Sequence, residues 1–311
     1  MNPINASSLF HFTKTFKGLQ GILKNSFRYS YCLEQYPSSV IHNSLNPFKP
    51  TELCTSIYNG IAIPEICFCD IPITRAQIHA KKYGKYAIGI DKNIAKTLYN
   101  NNLNPVFYLS SNNLLHSITD LSVLKSNCIS KIDGKVNDGK KYRCVKIETE
   151  NEKLIFNSNA VDSIDRIIAF SKCESGKNEK GDFVNYYDER EWRSVIYDRQ
   201  NENSNWIYDF QGHIFKNCSE FKNWIKPYNN ALHKCSYAYL PLTEEYTIDF
   251  LSNLVTHIIV KKENQIPPLI NYITKSSNLF GESFNNDKDT EYLKSILISR
   301  ITSFERIEND Y

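Results

Sequence analysis

Short strand-like segments rich in apolar residues are dispersed along this chain, and they restrict its fold more than any other feature of the sequence. Alternation with a period of two puts successive side chains on opposite faces, the arrangement a half-buried strand needs. Ser8–Lys14 reads this way with His11 at its centre, and Ile61–Asp70, Tyr86–Asp91, Asn104–Leu109, Ser194–Tyr197 and His257–Val260 read as further strands. Ile71 precedes Pro72 and is kept out of the helical region, which ends the second strand near Asp70. Gly89 in the third lets another backbone approach closely. Helical spacing is confined to modest stretches. Phe16, Leu19, Ile22 and Leu23 follow Thr15 as N-cap and end at Asn25, and Ile73–Tyr83 is amphipathic and closed by Gly84. Residues 112–126, a segment ending near Asn253, and a last helix over Asp287–Ile301 that buries Ile296 and Ile298 complete the set. Strands and helices do not alternate regularly, so the expected class is α+β rather than a doubly wound sheet.

The 311 residues, 41% hydrophobic and 23% charged, suit one principal domain over 1–311 with an ordinary core. The stretch 27–36 reads as an aromatic loop containing Arg28, and 37–60, rich in Ser, Pro and Asn, as a long surface loop that can serve as a lid. Residues 133–141 and 172–180 read as charged, exposed connections open to proteolysis.

Several function classes drop out. A formal net charge of +3 is too small to argue for nucleic acid unaided. No run of about 18 apolar residues is present, so no membrane span is expected, and Met1–Ser8 lacks the regions of a signal peptide; a cytoplasmic protein is the expectation. The nine cysteines contain no CxxC pair and are read as buried reduced thiols; no metal is expected, although a site assembled from distant Cys and His stays open. Phosphate-loop, HExxH and GxSxG patterns are missing.

The chemistry concentrates in Tyr186-Tyr187-Asp188-Glu189-Arg190-Glu191-Trp192-Arg193, which gathers three carboxylates, two guanidiniums and three aromatics. Read as one strand, Glu189, Glu191 and Arg193 share a face, with about 7 Å between successive side chains, while Arg190 and Trp192 share the other. The competing reading is an edge strand laced with ion pairs. On the first strand, His11 and Thr13 project to one face and can present donors and acceptors to a ribose or an amide.

Leu9-Phe10-His11-Phe12-Thr13, Ile63-Pro64, Cys67-Phe68-Cys69-Asp70-Ile71-Pro72, Tyr83-Gly84, Ile88-Gly89, Asn104-Pro105-Val106 and Tyr186–Arg193 follow one another in an order that resembles the AbiGi family of abortive phage-resistance proteins. That resemblance covers roughly residues 8–260 and implies the antitoxin of a type IV toxin–antitoxin pair, with a partner toxin encoded alongside. A more distant resemblance is to the ADP-ribosyltransferases, particularly those of the DarT type. It implies a split, mostly antiparallel sheet, NAD as the substrate, and transfer of ADP-ribose to a nucleic acid or protein. Under it His11 with Thr13 binds the NAD ribose, Phe68 or Tyr83 stacks on the nicotinamide, and Arg28 and Arg75 are the available contacts for the pyrophosphate. Glu191 is then the catalytic carboxylate, with Glu189 tuning or replacing it. The chain departs from that pattern in lacking an arginine on the middle strand, where Asp70 stands nearby. An enzyme and a non-catalytic antitoxin that neutralises a nucleotidyltransferase-like toxin are the two readings this leaves.

Overall fold

A computed structural model describes residues 6–35, 60–98, 103–109, 144–148, 153–157, 167, 169–177, 183–196, 218–235, 238–240, 248–283 and 288–310. The expected loop over 37–59, the helix over 112–126 and the connection over 133–141 lie outside these residues.

The chain opens with β1 (Ser8–Thr13), α1 (Phe16–Asn25), β2 (Ser30–Gln35) and β3 (Gly60–Cys69), followed by a 3-10 turn at Ile73–Arg75, α2 (Ala76–Tyr83), β4 (Tyr86–Asp91) and α3 (Lys92–Leu98). Next come β5 (Leu103–Pro105), β6 (Phe107–Leu109), β7 (Ser171–Cys173), β8 (Ser175–Lys177), β9 (Phe183–Asn185) and β10 (Glu191–Val195). The last part holds α4 (Cys218–Leu232), α5 (Ile248–Leu254), β11 (Val255–Val260), α6 (Ile266–Lys275), α7 (Lys288–Ser299), β12 (Ile301–Ser303) and α8 (Phe304–Asp310). Two hairpins, Cys144–Glu148 with Lys153–Asn157 and Asn278–Leu279 with Glu282–Ser283, stand outside the main sheet. The fold is α+β.

The main sheet has eight strands in the order β12-β11-β4-β1-β3-β10-β5, with β2 as a third neighbour of β3. Its pairings are antiparallel except β11 with β12. The period-two pattern feeds two cores, one on each face. Leu9, Ile88, Ile90 and Ile258 join one cluster, and Phe10, Ala87, Ile259 and Phe304 the other, so the central strands are buried on both sides.

The sheet opens between β1 and β3. β1 pairs with β4 over all six residues but meets β3 at one registered pair, Phe10 with Cys69. β3 spends its first half on β2, from Gly60 to Glu65, and its second on β10, from Glu65 to Cys69. α1 lies beside this opening. Thr15 caps it by accepting a hydrogen bond from the Gly18 amide at 3.0 Å, and Leu19, Ile22 and Leu23 are its buried face. Gly84 ends α2 at φ +121°, where a β-carbon would stand 2.2 Å from the Thr13 carbonyl oxygen, so glycine lets the helix end close against β1. At Gly89 the close approach is made by side chains and not by another backbone as expected: a β-carbon would lie 2.8 Å from the Phe10 ring.

Five further expectations need correction. Asn104–Leu109 is not one strand, because Leu103–Pro105 pairs with β10 in the main sheet while Phe107–Leu109 leaves it to pair with β7. The aromatic stretch after α1 is largely a strand, β2, because six residues find partners on β3. The charged run does not form one strand: Tyr186–Glu189 is a 3-10 turn whose Asn185 cap accepts from the Tyr187 amide, Arg190 sits in the left-handed region at φ 43°, and β10 starts only at Glu191. Ser171–Lys177 is no exposed connection, since β7 pairs with β6 and β8 with β9. In α7 the fully buried face carries Leu293 and Leu297 at helical spacing, leaving Ile296 and Ile298 half-buried, and β12 and α8 follow it.

Candidate functional site

A cavity of about 720 Å³ opens at the split, lined by residues of β1, α1, β2, β3 and the charged run. His11, Thr13, Arg28, Tyr83, Glu189 and Glu191 all line it, so six of the eight expected site residues converge. Phe68 and Arg75 do not. Phe68 is fully buried, its ring 5.7 Å from that of His11 and 5.2 Å from that of Phe27, so it props the histidine and has no face for a nicotinamide. Arg75 is exposed on the 3-10 turn that precedes α2. Arg28 is exposed at the cavity, bridged to Tyr239.

His11 spans the split. Its Nδ1 lies 2.8 Å from the Cys67 carbonyl oxygen, and because a carbonyl only accepts, Nδ1 carries the proton. Burial holds the imidazole below its ordinary pKa, so the ring is neutral and Nε2 remains an acceptor. This contact substitutes a side chain for part of the ladder that β1 and β3 do not form.

Across the cavity the carboxylates are matched by cations. Glu191 is buried; its Oε1 accepts from Arg193 Nε at 2.7 Å, and its Oε2 from Lys172 Nζ at 2.7 Å and Arg193 Nη2 at 3.3 Å. Glu189, also buried, takes Lys172 at 2.9 Å on Oε2, and Lys82 together with the Tyr83 hydroxyl (2.6 Å) on Oε1. Arg193 is wholly buried, donates to the Ala169 carbonyl at 2.9 Å, and lies 3.4 Å from Oε2 of a third buried acid, Glu65. The Tyr186 ring lies under both lysines, at 5.1 Å from Lys172 and 5.3 Å from Lys82. Burial alone would raise both glutamates, but Arg193 and Lys172 outweigh it at Glu191, and Lys172 and Lys82 at Glu189, holding each below the usual carboxylate range. Both acids are ionised and strongly paired.

Register decides which faces these groups use. Phe10, Cys69 and Glu191 form one row across β1, β3 and β10, so their side chains leave the same face, and period two adds Glu65, Cys67 and Arg193 to it. His11, adjacent to Phe10, leaves the other face with Phe68. His11 and Glu191 therefore reach one cavity from opposite faces of the sheet, through the opening between β1 and β3.

The sequence reading missed Lys172, Lys82 and Glu65. Glu65 had a visible mark, an acid two positions before Cys67 within an otherwise apolar strand. Lys172 had none, because the three-residue strand that carries it is too short to show a period. Among the described residues no helix is long and apolar enough to cross a membrane.

No solved structure matches this chain. It is 26% identical over 265 residues to the "Abortive phage resistance protein AbiGi" of Lactococcus lactis subsp. cremoris, an alignment covering 80% of this chain and 89% of that protein. The family model described as "Putative abortive phage resistance protein AbiGi, antitoxin" matches residues 26–245, a span that contains β2, β3 and the whole charged run. The chain belongs to the AbiGi family of abortive phage-resistance proteins.

Proposed function

We propose that this AbiGi protein binds NAD in the cavity between β1 and β3 and transfers ADP-ribose from it to a nucleic acid or protein acceptor during phage infection. One observation carries the reading: the split sheet brings His11 from its first strand and Glu191 from a late strand to a single cavity of about 720 Å³, within the range of small-molecule sites. A neutral His11 with Nε2 as acceptor suits a ribose hydroxyl. An ionised Glu191 suits the positive charge that develops on the ribose as nicotinamide departs, and a carboxylate fixed by Arg193 and Lys172 needs no reorganisation to meet it. Arg28 at the cavity supplies a cation for the pyrophosphate.

The test is calorimetric titration of purified protein with NAD, together with nicotinamide release. Wild type binds and turns over; His11→Ala loses binding; Glu191→Gln, checked for folding by circular dichroism, keeps binding and loses at least ~100-fold in release, the scale of one transition-state electrostatic contact. Failure of the wild type to bind NAD overturns the proposal.

A second reading has its own support. Glu189 and Glu191 are engaged by three cations in all, and His11 and Glu191 leave opposite faces, an arrangement that also suits a rigid, non-catalytic scaffold. The family description adds the word antitoxin. Under this reading the protein neutralises a nucleotidyltransferase-like toxin encoded beside it, and its discriminating result is rescue of toxin-expressing cells by Glu191→Gln as effectively as by wild type.

A further inference from the structure

Beside the carboxylates, on the same face of the sheet, two thiols and an acid converge. Cys32 of β2 is registered with Ile63, and period two puts it on the face that carries Glu65 and Cys67 of β3. The two sulfurs and a Glu65 oxygen all lie within 4.8 Å of one another, with Cys67 Sγ 3.3 Å from Glu65 Oε1. All three residues line the cavity. Among the described residues this is the one such grouping of Cys, His, Asp and Glu.

We infer that Cys32, Glu65 and Cys67 form a binding site for a thiophilic divalent cation of the zinc class, with its remaining coordination position facing the cavity. Three arguments support it. Tetrahedral zinc with bonds of about 2.3 Å to sulfur and about 2.1 Å to oxygen needs donors roughly 3.6–3.8 Å apart, so the groups require only small adjustments from the distances seen here. Charge provides the second. Glu65, Glu189 and Glu191 face Arg193, Lys172 and Lys82, so the cluster is balanced while both thiols are protonated. Ionising both adds two negative charges, and a divalent ion cancels them. The third is the outer contact. With Oε1 near Cys67, Oε2 of Glu65 lies 3.4 Å from Arg193, which orients the carboxylate as a partner outside the coordination sphere does. Neither cysteine is in a disulfide, and a disulfide between them is the competing use of the pair.

The site does not depend on the NAD reading, and its test uses the metal alone. Reduced full-length protein, freed of metal by chelation and titrated with Co²⁺, is expected to take up one ion in the site, giving a thiolate-to-cobalt charge-transfer band that Zn²⁺ abolishes by displacement. Cys32→Ser and Cys67→Ser should each lose the band, Glu65→Gln should weaken cobalt binding at least ~10-fold, and Cys69→Ser should keep it. In parallel, Zn²⁺ should raise the thermal midpoint of wild type but not of the folded Cys67→Ser variant, which separates lost ligation from lost folding. No band in wild type overturns the inference. So does a band that survives in Cys32→Ser, or thiol titration of air-exposed protein showing a Cys32–Cys67 disulfide where the reduced form takes no ion.

Discussion

Replacing Arg193 by leucine should be the most damaging single change in the charged cluster behind the cavity. The guanidinium is fully buried and contacts Glu191 at 2.7 and 3.3 Å, Glu65 at 3.4 Å and the Ala169 carbonyl at 2.9 Å. Leucine fills most of the volume but removes the Arg193 contacts of Glu65 and Glu191 while Lys172 stays on Glu191. Breaking one buried pair in this way costs about 3–5 kcal/mol, a large part of a typical total stability of about 5–15 kcal/mol. With a urea slope near ~3 kcal/mol/M for a chain of this size, the unfolding midpoint should fall by roughly 1–1.7 M. The loss also has a pH signature. In wild type the depressed Glu191 contributes stability above its unfolded pKa that is lost on acidification. In the variant the stranded carboxylates bind protons more readily folded than unfolded, so their penalty is relieved as pH falls. Urea unfolding of both proteins at pH 7.5 and pH 5 should therefore show a smaller difference at pH 5. A difference below ~1 kcal/mol at pH 7.5, or one that does not change with pH, would refute the account of Arg193 as the counter-ion of a buried carboxylate pair.

Other consequences follow from single positions. Gly84→Ala combines φ +121° with a β-carbon 2.2 Å from the Thr13 carbonyl, and should cost about 2–4 kcal/mol, seen as a lowered thermal midpoint. Tyr29→Phe removes the buried 2.7 Å hydroxyl contact with Ser194 and should cost about 1–2 kcal/mol in urea unfolding. It should also delete a phenol whose pKa burial has pushed up to about 12, so the variant lacks one late step in a spectrophotometric alkaline titration. Wild-type stability should fall in two stages on acidification. Burial holds His11, His79 and His257 below their ordinary value of 6.5, so stability present above that pH is lost as they charge; Glu189 and Glu191, depressed from 4.5, extend the loss to lower pH. Thermal melts from pH 8 to pH 3 that show no decline below pH 6.5 would contradict the burial of these imidazoles.

Much of the frame was legible because it rests on local rules. β1, β3, β4 and β11 are short apolar-rich runs bounded by turn residues and could be read within a residue or two, Thr15 and Gly84 mark their helix ends, and Gly89 marks a close contact. Local pattern misled where long-range pairing overrode it. Residues 30–35 mix one aromatic and one aliphatic residue with a cysteine and polar residues, and are a strand only because β3 offers them a partner. Tyr186–Arg193 has the period of a strand, yet its first half turns because Arg190 adopts a left-handed conformation that brings Glu189 back toward Lys82 and Tyr83.

From the residues alone came the class of fold, the strands that bear His11 and Glu191, and the family resemblance, since each depends on short-range spacing or on ordered motifs. Assembly in three dimensions settled the rest: the opening between β1 and β3, the retreat of Phe68 into the core, and the placing of His11 and Glu191 on opposite faces. It also brought in Lys172 and gathered Cys32, Glu65 and Cys67 on one face. Those outcomes depend on register between strands far apart in sequence, and burying a carboxylate beside a distant cation is an energetic balance that local periodicity does not encode.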